Sequence, residues 1–345
     1  NTPEEPTGTR PVDTATASSP TTTALAGRVV LMGQILVDRV LQGARPIHGG
    51  GSEWARDGGT HVGGGFNALV AARRMGAEAI SLSPIGTGPH ASMIEAALAR
   101  EGIVDAGPRV DGVDNGFCVA MIGHDAERTF ISTKGAETMT PETAWADFVR
   151  TMSPGDVLYI DGYLMDHPAN REAAEAALRV LPEGVRVLLD VSPVIGIPES
   201  LPTHHAIISM NSVEAREVAK QSRLEGYLPF DSLSCRLAQT LGRDTLIRLG
   251  ASGACFARSA SPDSETSAAH IPTPTIDAVD TNGAGDAHTG VLAASLALGI
   301  PLERGLVLAN CAGALASTMP GPASCPTRED IEAAADALAA DTAAE

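Results

Sequence analysis

Segments with the pattern of β-strands alternate with segments of helical periodicity, and this alternation limits the fold more than any other feature of the chain. Short apolar, strand-like segments occupy 28–33, 80–86, 156–161, 185–191, 205–210 and 244–250. Helix-like segments lie at 67–76, about 90–100, 168–181, 212–220, 231–241 and 287–299. Strands that alternate with helices favour a largely parallel sheet with helices on both faces, so the predicted fold class is α/β.

One section departs from the alternation. Residues 115–133 read as two strands joined by a polar turn at 124–127, which is typical of a β-hairpin. The glycine-rich region 43–61 could add irregular or strand structure beside this hairpin. We therefore predict a small β lid, from elements at approximately 37–62 and 109–134, that is inserted in the α/β body or leans over it.

The two ends of the chain differ in composition. Residues 1–26 are rich in Thr, Pro, Ser and Ala and have almost no large apolar side chains, so they cannot offset the entropy cost of ordering. We expect a disordered tail there and a single α/β domain over 27–345. Residues 259–267 read as an exposed loop.

Composition excludes several classes of partner. The chain carries 42 acidic and 24 basic residues, a formal net charge of −18, whereas nucleic acids and anionic membranes reward clustered Lys and Arg. The apolar run 291–317 is interrupted by Pro301, Glu303 and Arg304, so no membrane span is predicted. Five scattered cysteines without CxxC spacing, and no secretory apolar segment before them, predict a cytoplasmic location.

A glycine cluster at 63–68 (GGGFNA) fits the GxGxxA pattern of dinucleotide-binding loops. That interpretation requires a strand just before the cluster and an acid after the next strand, and the polar segment 53–61 and the segment from 80 show neither. Two alternatives remain: a tight turn into a helix, or a place where backbone approaches a small polar ligand within reach of Asn67. A Walker-type GxxxxGK[ST] loop does not occur in the sequence.

The stretch 277–290 (DAVDTNGAGDAHTG) places a glycine loop immediately before a helical run. Amides at a helix start lack partners and the helix dipole adds positive potential, so Gly283, Ala284 and Gly285 could hold a transferring phosphoryl group. Asp286 would then lie in the first helical turn, where a carboxylate can accept a proton from an attacking hydroxyl. The alternative for Asp286 is a simple N-terminal capping role.

Residues 280–286 (DTNGAGD) match the DTxGAGD signature, and the chain resembles the ribokinase-like, PfkB-type carbohydrate and nucleoside kinases. Five further segments that carry this resemblance occur in the family's order: GQILVD (33–38), GGGFN (63–67), GFCVAMIGHDAERTF (116–130), NSVE (211–214) and RLGASGA (248–254). The segment 309–324 (ANCAGALASTMPGPAS) is similar to the helix and loop beside adenine. The resemblance implies a ribokinase-like fold, a central mostly parallel sheet flanked by helices with a small β lid. It implies ATP and Mg²⁺ as cofactors and transfer of the γ-phosphate to a hydroxyl of a sugar or sugar-like substrate.

The resemblance also implies roles for individual residues. Phosphoryl transfer would use Asp286 as the base and Gly283, Ala284 and Gly285 as the anion hole. The acceptor would be held by Asp38, Gly64, Gly65 and Asn67. Asp161 is a further candidate for the acceptor side on a different ground, because it ends the strand-like segment 156–161. The nucleotide would be bound by Asn211, Glu214, Arg248, Gly250, Gly253 and Asn310. Glu214 would reach Mg²⁺ directly or through water, and Asp280 would belong to a loop for a monovalent cation such as K⁺.

Several alternatives stay open. Asn211 and Glu214 also have the spacing of a helix capping box. The family's first glycine signature is often GGxGAN, whereas this chain has Val62 and Phe66 in VGGGFN. This difference changes the shape of the pocket and leaves open whether ribose itself is the acceptor. Phe66 could stack on a base, as in a nucleoside kinase, or pack in the core. The third possibility is a catalytically idle sugar- or nucleotide-binding regulatory protein.

Family members often pair through the lid, so a homodimer formed by the lid is expected. The alternative is that apolar lid residues such as Phe117, Val119 and Met121 only cover the active site.

Overall fold

The computed structural model describes residues 27–43, 52–123, 128–259, 267–319, 321 and 324–344. The predicted tail at 1–26, the hairpin turn at 124–127 and most of the predicted loop at 259–267 lie outside these ranges. Within them the strands are β1 (Arg28–Met32), β2 (Ile35–Gln42), β3 (Arg56–Gly64), β4 (Glu78–Ser81), β5 (Val104–Asp105), β6 (Phe117–Ile122), β7 (Arg128–Ser132), β8 (Val157–Asp161), β9 (Arg186–Asp190), β10 (Ala206–Asn211), β11 (Asp244–Arg248), β12 (Ala254–Ala257) and β13 (Ala268–Ile271).

The α-helices of the same ranges are α1 (Phe66–Arg74), α2 (Pro89–Arg100), α3 (Ala144–Val149), α4 (Pro168–Arg179), α5 (Ser212–Gln221), α6 (Phe230–Leu241), α7 (Ala284–Ala297), α8 (Leu302–Ala316) and α9 (Arg328–Ala344). Short 3₁₀ turns occupy Ala136–Thr138, Gly162–Asp166 and Gly250–Ser252. The six predicted strands and six predicted helices therefore all form, with boundaries that shift by a few residues.

A nine-stranded sheet forms the centre of the molecule, in the order β13-β12-β11-β10-β9-β8-β1-β4-β5. The strands from β11 through β5 in that order run parallel, and β12 and β13 add an antiparallel edge. After β1 the chain continues to β4 on one side and later returns to β8 on the other. The order of strands thus reverses beside β1, and in such sheets ligands bind at the carboxyl ends of the strands near this point.

Apolar side chains cover both faces of the sheet. Along β1, Val29 and Leu31 join a core with α1, α2, α7, α8 and α9, whereas Val30 and Met32 join a second core with α3 to α6. Side chains of a strand alternate between faces, so this division follows directly from the strand period. The predicted arrangement of helices on both faces of a mostly parallel sheet is confirmed.

A separate four-stranded sheet has the order β3-β2-β6-β7. Strands β6 and β7 pair antiparallel as the predicted hairpin, and β3 pairs antiparallel with β2. Strand β3 ends at Gly64, directly before α1 begins at Phe66. The expectation that no strand precedes the glycine cluster was therefore wrong. The segment looked too polar because seven of the nine residues of β3 are exposed or half-buried, whereas a parallel-sheet strand would be buried.

Helices α7 and α8 contain most of the apolar run 291–317, and their apolar residues are largely buried. Across the described ranges, no helix combines the length and the hydropathy needed to cross a bilayer. Helix α7 also packs unusually close to α1. A Cβ built on Gly290 would lie 2.1 Å from the carbonyl oxygen of Ala68 and 2.7 Å from the Cβ of Ala71.

We predict that Gly290→Ala destabilises the protein by about 1–3 kcal/mol, because the added methyl group meets the backbone of α1. Gly285→Ala on the same helix is the matched control, since its Cβ would have no atom within 4 Å. Alanine favours a helix over glycine, so the control should not lower stability. Urea unfolding midpoints of the two variants provide the comparison, and equal midpoints would show that the contact at Gly290 relaxes without cost.

Candidate active site

The carboxyl ends of neighbouring parallel strands bring polar side chains to one edge of the sheet. Asp161 ends β8, Asp190 ends β9, Asn211 ends β10 and Arg248 ends β11. Parallel strands all present the same end at that edge, so four residues that are distant in sequence become neighbours. This edge is the candidate active site.

Helix α7 begins at this edge with the predicted anion-binding loop. Gly283 is the residue before the helix and has a φ of 77°, a left-handed conformation that favours glycine. Ala284 and Gly285 line a neighbouring cavity. The amide of Ala284 makes a long bond of 3.3 Å to the carbonyl oxygen of Thr281, so this amide is less available than predicted. The helix start still directs the positive end of its dipole towards the cavity.

Asp286 lies in the first turn of α7 and meets α1. The amide Nδ2 of Asn67 donates a hydrogen bond of 3.0 Å to Asp286 Oδ2. Asn67 is buried, and its Oδ1 has no hydrogen-bond partner within the described residues. The structure thus joins two predicted site residues that are 219 positions apart and leaves one buried acceptor beside them.

Burial raises the pKa of the Asp286 carboxyl to about 7. The Asn67 hydrogen bond and the positive charge of Arg248 act in the opposite direction, whereas the negative charges of Asp190 and Asp161 raise the pKa further. A carboxyl group with a pKa near neutrality is well matched to accept a proton in a reaction.

The neighbouring cavity has a volume of about 580 Å³ and suits a nucleotide in size. Seven residues predicted for nucleotide or phosphate binding line it: Asn211, Arg248, Gly250, Gly253, Ala284, Gly285 and Asn310. Both of the glycines that follow β11 have a positive φ, and a Cβ on Gly253 would lie 2.2 Å from the carbonyl oxygen of Ile271. A larger cavity of about 630 Å³ lies between α5 and α6, and no predicted site residue lines it.

Asn211 and Glu214 form a capping box at the start of α5. The Asn211 side chain accepts hydrogen bonds from the amides of Val213 and Glu214, and Glu214 Oε2 accepts a 2.6 Å bond from the Asn211 amide. The capping interpretation is therefore correct as local structure. It leaves Asn211 on the cavity wall, where the same residue could also contact a ligand.

Arg248 lines the cavity, but its terminal nitrogens bond to protein. Nη1 and Nη2 donate to the two carboxylate oxygens of Asp190 at 2.7 and 3.2 Å. Opposing carboxylates raise the pKa of the guanidinium despite its burial, so it stays charged. Asp190 was not among the predicted site residues. The signal that could have found it is its place after an apolar strand, the same signal that singled out Asp161.

Asn310 and His288 form a buried pair at the inner end of the cavity. Asn310 Nδ2 donates to the carbonyl oxygens of Ile271 and Pro272, both at 3.0 Å, so its Oδ1 faces His288 Nε2 at 3.2 Å. Burial lowers the pKa of His288 to about 3, so the ring is neutral at physiological pH. Asn310 therefore has a structural role that joins α8 to the end of β13, and its role as a nucleotide contact stays a prediction.

The predicted cation residue Asp280 lies in the loop before α7. Its carboxylate oxygens accept hydrogen bonds from the amides of Asn282 and Gly321 at 2.9 and 3.1 Å. The described part of the chain contains no group of three or more His, Cys, Asp or Glu side chains with the geometry of a metal site.

Four of the five predicted acceptor residues, all except Asp161, lie where the four-stranded sheet β3-β2-β6-β7, hereafter the lid sheet, meets α1. Asp38 on β2 faces Gly63 on β3, and a Cβ on Gly63 would lie 2.0 Å from Asp38 Oδ2. Gly64 has a φ of 67° and approaches the carbonyl oxygen of Gln34, while a Cβ on Gly65 would collide with Leu31. The glycines therefore serve close backbone approach, and they leave room for the Asp38 carboxylate.

Two carboxylates frame this side of the site, the half-buried Asp38 and the buried Asp161. Burial raises the pKa of Asp38 to about 6, against the effect of the nearby His61. Burial also raises the pKa of Asp161 to about 6, against hydrogen bonds from the Tyr163 and Gln34 amides. Both Asp161 oxygens accept from these amides, at 2.9 and 3.2 Å, so Asp161 fixes the loop after β1.

Comparison with known proteins gives consistent matches along the chain. A family model described as pfkB family carbohydrate kinase matches residues 27–329. A relative in Escherichia coli (strain K12), named uncharacterized sugar kinase YegV, is 31% identical over 277 residues, covering 79% of this chain and 82% of the relative.

Solved structures show the same fold. Ribokinase from Thermotoga maritima has a TM-score of 0.74 at 20% identity, and the match covers 89% of this chain and 98% of that chain. Arabidopsis thaliana ribokinase complexed with ribose and ATP has a TM-score of 0.69 at 22% identity, covering 90% and 99%. These structures confirm the ribokinase-like fold. Together with the family match, they establish that the chain belongs to the pfkB family of carbohydrate kinases.

Proposed function

We propose that the protein transfers the γ-phosphate of ATP to a hydroxyl group of a sugar or sugar-like acceptor, with Asp286 as the general base. The observation that carries the proposal is the position of Asp286. Its carboxyl group has a pKa of about 7, lies on the helix start that borders a nucleotide-sized cavity, and bonds to Asn67 on the acceptor side.

The proton and the phosphoryl group move in opposite directions in this mechanism. The Asp286 carboxylate accepts the proton of the acceptor hydroxyl while the hydroxyl oxygen forms a bond to the γ-phosphorus. The bond from the γ-phosphorus to the bridging oxygen breaks, and ADP leaves with that oxygen. Gly283, Ala284 and Gly285 provide amides at the positive end of α7, where they stabilise the charge of the transferring group.

The nucleotide would occupy the cavity between the start of α7 and α8. Gly250 and Gly253 allow its backbone wall to approach the ligand, and Asn310 lies at its inner end. Mg²⁺ usually binds nucleotide phosphates together with one or two carboxylates and several waters. Glu214 fits this pattern as a ligand through water, because one of its oxygens already accepts a hydrogen bond from the Asn211 amide. The K⁺ site at Asp280 stays a prediction.

The acceptor would lie between Asp38 and Asn67. An ionised Asp38 accepts hydrogen bonds from hydroxyl groups, and the unpaired Oδ1 of buried Asn67 can accept one from a second hydroxyl of the acceptor, since the proton of the reacting hydroxyl goes to Asp286. Gly64 and Gly65 form the turn that carries Asn67. Asp161 contributes through the Gln34 loop, because its two oxygens bind backbone amides.

The alternative functions have less support. Phe66 is 3% exposed and belongs to the apolar core with α1 and α7, so it does not offer a face on which a base could stack. The burial of Phe66 therefore weakens the case for a nucleoside kinase. A catalytically idle regulatory protein would not need a carboxyl group with a pKa near 7 or polar residues at the strand ends, so these features favour an enzyme. A screen of ADP release over sugars and nucleosides separates the three, since an idle protein would bind ligands and release no ADP.

We predict that Asp286→Asn lowers kcat by about 10²- to 10⁴-fold while ATP binding stays largely intact, because the amide cannot accept the proton. Asp147→Asn makes the same chemical change at a side chain that is 69% exposed on α3, and it should leave kcat unchanged. Steady-state kinetics and ATP calorimetry measure the two effects. Full turnover by the Asp286 variant would remove this residue from the mechanism.

We predict that Asp38→Asn raises KM for the acceptor by about 10- to 100-fold, the loss expected for a hydrogen bond to a charged group, and leaves KM for ATP unchanged. Asp57→Asn on the neighbouring strand β3 is the control. Asp57 is exposed, and its carboxylate accepts a local hydrogen bond from the Gly59 amide. Equal acceptor KM values for the two variants would contradict the assignment of Asp38.

We also propose that two copies pair through the lid. Strand β7 is an edge of the lid sheet, and Phe130 and Ile131 on it are 57% and 58% exposed. Sedimentation velocity should give the mass of a dimer for the wild type and of a single chain for Ile131→Lys, since a charge on an edge strand opposes pairing. A wild type that sediments as a single chain would show that the lid only covers the site.

A further inference from the structure

A buried guanidinium binds the carboxylate at the end of the next strand but one. Arg248, the last residue of β11, makes a two-pronged interaction with Asp190, the last residue of β9, at 2.7 and 3.2 Å. Their side chains are only 13% and 9% exposed. A pair of this geometry is strongly directional, because the planar fork of arginine matches the two carboxylate oxygens.

The same guanidinium also reaches the helix that carries Asp286. Arg248 Nη1 donates to Thr289 Oγ1 on α7 at 3.0 Å and to Ser209 Oγ on β10 at 3.1 Å. The Thr289 hydroxyl in turn donates to Asp190 Oδ2 at 3.0 Å. Thr289 is three residues after Asp286, so one turn of helix joins this network to the proposed base.

Negative charge converges on the network. Arg248 Nη2 lies 3.6 Å from Glu214 Oε2, and the positive charge of Arg248 opposes the effect of Asp161 and Asp190 on Asp286. Acidic side chains brought this close destabilise one another's charged forms unless a cation lies among them.

We infer that Arg248 is a positioning residue for phosphoryl transfer, whose guanidinium, committed to Asp190, holds the first turns of α7 against the strand ends and opposes the negative charge around Asp286. The inference rests on the proposed function. It replaces a direct contact of Arg248 with the nucleotide by an indirect role, because both terminal nitrogens already bond to protein. The residue touches none of the reacting atoms in this account.

The charged and titratable groups around Asp286 decide whether a substitution shifts the pH dependence of the rate to higher or to lower pH. They are Tyr159 and Asp161 on β8, Tyr163 in the turn after it, Asp190 on β9 and Arg248 on β11. A base must be ionised to act, so the rate rises with pH through the pKa of Asp286, which is about 7. Loss of the Arg248 charge raises that pKa and shifts the rise to higher pH, and loss of the Asp190 charge shifts it to lower pH.

The test is the pH profile of kcat/KM for the acceptor, measured for the wild type, Arg248→Met, Arg248→Lys, Asp190→Asn and the double variant. We expect the midpoint to move up by about one pH unit in Arg248→Met and down in Asp190→Asn, the size typical of a nearby charge. The double variant should return towards the wild-type midpoint. Arg248→Lys should keep the midpoint but lower kcat several-fold, because lysine retains the charge and loses the fork.

Arg243→Met is the matched control. Arg243 is a partly buried arginine next to the opposite end of β11, and it bonds to the carbonyl oxygens of Leu201, Pro202 and Leu241. Its loss should lower the unfolding midpoint and leave the pH midpoint in place, as expected of a purely structural arginine.

Three outcomes would overturn the inference. An unmoved pH midpoint in Arg248→Met would reduce the residue to a structural role, and a raised KM for ATP with unchanged kcat would restore the direct nucleotide contact. If Arg248→Met fails to fold, an unmoved midpoint in Asp190→Asn has the same force. Failure of the proposed function is distinguishable, since it appears as a wild type that phosphorylates no acceptor or as full turnover in Asp286→Asn.

Discussion

The close contact of α7 with α1 is the constraint on which the candidate active site depends. Gly290 allows α7 to approach the backbone of α1 at Ala68, and no larger residue fits without displacement. This approach brings Asp286, one turn earlier on α7, within hydrogen-bond distance of Asn67 on α1. Asp286, the amides of the helix start and the side-chain amide of Asn67 are therefore held by a packing contact in the core rather than by a flexible loop.

The strand ends add an electrostatic constraint to this geometric one. A parallel sheet with its polar residues at the carboxyl ends concentrates Asp161, Asp190 and Asp286 in a small volume, and burial raises the pKa of two of them, Asp161 and Asp286. Arg248 offsets part of that negative charge while its guanidinium donates hydrogen bonds to Asp190. Such a site can hold the pKa of a carboxyl group near neutral pH, which suits proton acceptance. The adjacent helix start remains favourable for an anion.

The lid contributes to the same site from a different sheet. Strand β3 leads directly into α1, so the lid sheet and the helix that carries Asn67 are connected by a single residue, Gly65. The Asp38 carboxylate on β2 has room beside β3 only because Gly63 has no side chain. The lid sheet and the helix that carries Asn67 are thus coupled by covalent connection as well as by contact.

The sequence determined the α/β class, the order of the elements, the hairpin and the polar residues 280–286, because strand and helix periodicity and the DTNGAGD stretch are local properties of the chain. It failed for β3, whose exposed face hides the pattern, and for Asp190 and Thr289, which look like ordinary residues in their own segments. Tertiary structure alone decided that Arg248 meets Asp190, that Phe66 enters the core and that Asn67 bonds to Asp286. The physical reason is that these contacts join segments between 58 and 219 residues apart, or depend on which face of an element is covered, and no local pattern specifies either.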